Sequence, residues 1–117
     1  MKIDRMKAGP RMSMAVRYGD TVYLAGQVPD NVSDGVAGQT RQVLAKIDAL
    51  LAEAGTDKSA LLSATIYLRD MATFNQMNEV WDAWVDPKNT PARASVEARL
   101  ARPEFLVEIS IIAATQV

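Results

Sequence analysis

A chain of 117 residues is one domain's worth of sequence, and 49% apolar with 23% charged residues is the balance of an ordinary globular core under a solvated surface. Its 13 basic and 14 acidic residues give a net charge of −1 with no block of either sign, which excludes the electrostatic footprint of a nucleic-acid binder. Cysteine and histidine are both absent, so disulfides, thiol chemistry, a Ser-His-Asp arrangement and imidazole metal ligands are excluded, and acid–base work falls to Asp, Glu, Tyr or bound water.

No apolar run approaches the ~18 residues that cross a bilayer. The segment Met1-Lys2-Ile3-Asp4-Arg5 has no apolar signal core. A cytoplasmic single domain over residues 1–117, without nucleic-acid or membrane partners, is therefore expected. No P-loop or dinucleotide fingerprint occurs, and neither a cofactor nor a metal is expected.

In chain order, residues 11–25 are strand-like on both sides of Gly19-Asp20, which marks a hairpin. Gly26-Gln27-Val28-Pro29-Asp30 ends the second strand, and a polar loop runs to Gly38. Apolar residues at Val43, Leu44, Ile47, Leu50, Leu51 and Ala54 predict a helix over 39–54, stopped by Gly55. Leu62, Ala64, Ile66 and Leu68 alternate with Ser63, Thr65, Tyr67 and Arg69, as in a strand. Asp70 is the expected N-cap of a second helix reaching about Val85, with Phe74, Met77, Trp81, Trp84 and Val85 on its buried side. The two tryptophans continue that helical stripe and belong to the core rather than to a base-stacking platform.

A proline-bracketed loop, residues 86–91, leads to a strand in which Arg93, Ser95, Glu97 and Arg99 share one face and Ala94, Val96, Ala98 and Leu100 the other. After a turn at Arg102-Pro103-Glu104 comes a last strand from Leu106 to about Thr115. The order ββαβαββ predicts an α+β two-layer sandwich, with both helices on one face of a mostly antiparallel sheet. The other face keeps apolar side chains, so a homo-oligomer is expected.

Two residues carry the chemistry. Arg93 is either part of a solvated edge face or a planar fork for a carboxylate, held by two parallel charge-assisted hydrogen bonds. Glu108 is flanked by Val107, Ile109 and Ile111, and burial of that kind raises a carboxyl pKa. The short connection predicts that the Arg93 and Glu108 strands pair as a hairpin, in a register that sets either Arg99 opposite Glu108 on a shared polar face or Glu108 opposite Ala98 on the apolar side, with a bulge able to change that parity. Glu108 is then either a structural partner of Arg99 or Arg93, or an acid–base group.

The segments Gly26-Gln27-Val28-Pro29, Pro91-Ala92-Arg93-Ala94-Ser95-Val96-Glu97 and Val107-Glu108-Ile109-Ser110-Ile111-Ile112-Ala113 resemble the signature segments of the Rid (YjgF-like) family of reactive intermediate deaminases, and the likeness covers nearly the whole chain. Trp81-Asp82-Ala83-Trp84-Val85 is similar to a paralogous branch. The resemblance implies a chorismate-mutase-like fold, a homotrimer with clefts between subunits, and hydrolysis of 2-imino or enamino acids to 2-oxo acids and ammonia. It further implies that Arg93 holds the substrate carboxylate, that Glu108 positions the attacking water, and that Gly26, Ser95, Ala25 and Met12 line the cleft. Met12 and Ala25 stand where the family has a tyrosine and a serine, and Ser95 where cysteine is common. A trimer that binds small carboxylates without turning them over is the second reading. A ribonuclease is the third, and the balanced charge and missing histidine speak against it.

Overall fold

In the computed structural model, which describes residues 1–116, the chain forms strands β1 (Ile3–Met6), β2 (Ala15–Tyr18) and β3 (Thr21–Leu24), helix α1 (Val36–Glu53), strand β4 (Leu61–Leu68), helix α2 (Phe74–Trp84), and strands β5 (Ala92–Glu97) and β6 (Val107–Ala114). One six-stranded sheet runs in the order β1-β2-β3-β6-β4-β5. All neighbours are antiparallel except β4 and β5, which are parallel. Both helices cover one face, as expected for the two-layer sandwich.

The α1 stripe of Val36, Thr40, Val43, Leu44, Ile47, Leu50 and Leu51 is buried, at the spacing of one helix face. Gly55 ends the helix at φ 83°, with its N–H donating to the Ala52 carbonyl at 3.1 Å and the Thr56 N–H to the Leu51 carbonyl at 2.9 Å. That is a Schellman arrangement, and the left-handed backbone it needs suits glycine. From α2, Met77 and Trp81 enter the same core. The sheet contributes Ala15, Val22, Leu24, Ala64, Ile66, Leu68, Val107, Ile109, Ile111 and Ala113.

Several expectations are corrected. β1 is not marked by the sequence, because Ile3-Asp4-Arg5-Met6 alternates too briefly. It forms by pairing along β2, with Asp4 accepting from Arg17 at 3.1 Å. α1 begins at Val36 rather than Gln39. Asp70 caps a 3-10 turn over Met71–Thr73, accepting from the Ala72 N–H at 2.9 Å, and α2 starts only after that turn. Leu62 leaves the buried face because a bulge between Leu61 and Ser63 makes it the extra residue.

The expected hairpin does not form. β5 runs parallel to β4 at the sheet edge, while β6 inserts between β3 and β4. The physical reason lies in the two strands' side chains. Val107, Ile109, Ile111 and Ala113 are fully buried only in a central strand, whereas β5 carries Arg93 and Glu97 and is cheapest at an edge.

The face away from the helices carries Ile3, Val16, Tyr18, Tyr23, Tyr67, Val96 and Ile112. Tyr18 and Tyr23 remain 47% and 46% exposed there, a large apolar area for a sheet left in water.

Candidate active site

Glu108 sits in the centre of the sheet, paired with Tyr67 of β4, and its side chain lies on the face away from the helices. Immediately beside it, Gln27 and Ile109 exchange two backbone hydrogen bonds, N–H to carbonyl, of 2.9 and 3.1 Å. This clip holds Gly26 against the glutamate. A Cβ on Gly26 would stand 3.0 Å from Glu108 Cδ and closer still to one carboxylate oxygen, so only glycine leaves the carboxyl its place. Burial raises the Glu108 pKa from its ordinary value, and no cation offsets it. The expected pairing with Arg99 or Arg93 is absent: among the described residues Glu108 enters no ion pair.

Ala25 adjoins this carboxyl through the chain. Its N–H donates to the Met14 carbonyl at 2.9 Å, and its carbonyl accepts from Gln27 Nε2 at 2.8 Å. Met12 lies on the preceding loop with its side chain exposed.

Arg93 lies elsewhere. In the parallel register it pairs with Ala64, which places it on the helix-bearing face, opposite to Glu108. Alternation along β5 is as expected up to Glu97, where the strand ends and leaves Ala98, Arg99 and Leu100 outside it, but its polar side turns toward α2 and its small apolar side, Ala94 and Val96, toward the open face. The guanidinium carbon rests 5.4 Å from the Trp81 ring centre and 5.8 Å from that of Phe74. Two aromatic faces thus hold the fork by cation–π attraction. Among the described residues it has no carboxylate partner.

Two residues along, Ser95 Oγ is buried without a hydrogen-bond partner. It borders an open cavity of about 480 Å³ lined also by Met71, Ala72, Phe74 and Asn75. Asn75 was not legible as a site residue, since nothing in the sequence shows that the first turn of α2 meets the edge strand. Phe74 and Trp81 belong to the core, as their helical spacing predicts, and they are also the platform for Arg93.

One chain therefore holds two candidate half-sites, Glu108 with Gly26 and Ala25 on the open face, and Arg93 with Ser95 and Asn75 at the sheet edge. Among the described residues no three carboxylates converge as a metal site would require.

This fold is the chorismate-mutase-like α+β type, and the comparisons with known proteins carry it further. The family model described as Endoribonuclease L-PSP matches residues 2–115. A RutC family protein of Haemophilus ducreyi is 49% identical over 112 residues, covering 96% of each chain. The RutC family protein YoaB of Escherichia coli is 44% identical over 97% of this chain and 99% of its own. A solved YjgF-family structure from Neisseria meningitidis superposes with a TM-score of 0.97 at 52% identity, covering 100% of this chain and 98% of its own. The chain belongs to the Rid/YjgF family.

Proposed function

We propose that this protein is an enamine/imine deaminase that hydrolyses 2-imino acids to 2-oxo acids and ammonia in clefts between the subunits of a homotrimer. The observation that carries the reading is the pair of unpartnered ionisable groups, a cation on an aromatic platform and a half-buried carboxyl against a glycine, on opposite faces of one sheet. Neither half suffices alone. A neighbouring copy laid on the apolar open face brings its edge half-site to the Glu108 half-site and buries that face at the same time.

In such a cleft the Arg93 fork takes the substrate carboxylate through two parallel hydrogen bonds. Glu108 removes a proton from water as its oxygen attacks the electrophilic carbon of the protonated C=N group. The resulting carbinolamine takes that proton from Glu108 on its nitrogen, and the C–N bond breaks as the hydroxyl gives its own proton back to the carboxylate, leaving the carbonyl and ammonia. Burial raises the Glu108 pKa, which makes its carboxylate the stronger base toward water. Because a protonated imine is already reactive, orientation supplies most of the catalysis.

The test is the lifetime of 2-imino acids generated by an amino-acid oxidase and trapped with semicarbazide. Trappable imine is expected to vanish faster with the wild type than with buffer, and Arg93→Ala to lose that acceleration. No acceleration across several imines rejects the deaminase. Calorimetric binding of 2-oxobutyrate by the same sample then selects the second reading, a carboxylate-binding trimer. That reading is favoured by Ala25, which brings no hydroxyl to the Gly26–Glu108 half-site.

A further inference from the structure

At the far end of β5, where the chain leaves the sheet, Arg69 and Arg99 line one small polar cavity of about 290 Å³ together with Glu97 and Ala98. Arg69 also borders the adjoining cavity with Asp70, Thr73, Glu97 and Leu106. The backbone here is fixed: the Arg69 N–H donates to the Leu106 carbonyl at 3.1 Å and the Ala98 N–H to the Leu68 carbonyl at 2.9 Å.

Each carboxylate around these arginines has one oxygen engaged by another donor, and Glu97 keeps its charge at the cavity wall. Glu97 Oε1 accepts from the Met71 N–H at 2.8 Å. Asp70 Oδ1 accepts from the Ala72 N–H at 2.9 Å. Glu104 accepts from Arg102 at 2.6 Å, an ion pair within their own loop. Among the described residues, neither Arg69 nor Arg99 enters an ion pair. Arg69 Nη1 is moreover buried with no hydrogen-bond partner.

A guanidinium with one corner out of water and nothing accepting from it is held at a cost. An oxyanion on the open edge of the fork offsets that cost, and partial desolvation strengthens the attraction. A second arginine, Arg99, lines the same cavity and can donate to the same anion. We propose that Arg69 and Arg99 form a binding site for a small oxyanion, a phosphate or carboxylate group, separate from the Arg93 half-site and independent of the deaminase reading.

The experiment titrates the full-length assembled protein with inorganic phosphate at constant ionic strength, following the backbone amide signals of Asp70, Ala98 and Arg99 by NMR. A parallel arm uses acetate, and a chloride arm gives the background. Saturable shifts confined to these amides are expected with phosphate. Saturation by acetate as well identifies a carboxylate-accepting site, and its absence a phosphate site; both support the proposal. Arg99→Gln, at an exposed position where folding is safe, is expected to weaken phosphate binding about tenfold, the worth of one charge-assisted hydrogen bond. Shifts that only drift as they do with chloride, or a phosphate affinity unchanged in Arg99→Gln, overturn it.

Discussion

β5 and β6 both alternate in sequence and each contributes one of the two unpartnered groups, yet they are held very differently. β6 has a neighbour on each side and buries every second residue, packed under α1. Glu108 is therefore carried on the stiffest part of the sheet, pressed to Gly26 by the Gln27–Ile109 clip. β5 has a single neighbour, and its residues are exposed or at most half-buried. Arg93 gets its orientation from the side, from two aromatic rings of α2. A carboxyl that must stay partly dry belongs in a sheet centre, and a long cation that must reach a ligand belongs at an edge.

The largest expected effect sets the two strands apart in stability. Ile109→Ala removes a fully buried side chain from the central strand and is expected to cost about 2–5 kcal/mol, whereas Val96→Ala on β5, half-exposed in the single chain and covered only by the neighbouring copy of the proposed trimer, costs less, about 1 kcal/mol. Urea denaturation of both variants measures this. Equal losses would mean that β5 is as firmly held as β6.

A smaller effect concerns placement. Gly26→Ala puts a methyl group where the Glu108 carboxylate lies, and the flexible end of that side chain can yield. Stability is expected to change by less than about 1 kcal/mol, while imine turnover falls about 10²-fold, the scale on which a misplacement of about 1 Å acts. Turnover at the wild-type rate in the semicarbazide assay would separate Gly26 from the positioning of Glu108.

The smallest effect is in pH dependence. Burial raises the Glu108 pKa, so the folded state binds this proton more tightly than the unfolded chain does. Below the unfolded value of about 4.3 both states are protonated, and stability is lost as pH rises from there through the raised native value. Glu108→Gln is expected to remove that loss and flatten the profile of denaturation midpoints above about pH 4. An unchanged slope would show that the carboxyl is well solvated in the fold.

The sequence by itself determined the two helices, most of the strands and the candidate residues. Helical stripes such as Val43, Leu44, Ile47, Leu50 and Leu51 and the alternation of Val107, Ile109 and Ile111 are local patterns, set by the 3.6- and 2-residue periods of the backbone. Gly55 as a helix stop was legible for the same reason; the raised pKa of Glu108 was too, but not its cause, since Val107, Ile109 and Ile111 turn to the opposite face and the carboxyl lies instead against Gly26. Strand order was not. Whether β5 pairs with β6 or with β4 depends on which arrangement buries more of β6, a balance summed over the whole core. Only the tertiary structure decided that Arg93 faces the aromatic rings of α2, that Asn75 joins Ser95, and that Arg93 and Glu108 lie on opposite faces. Side-chain period fixes which residues share a face, but the partner strand fixes which face that is.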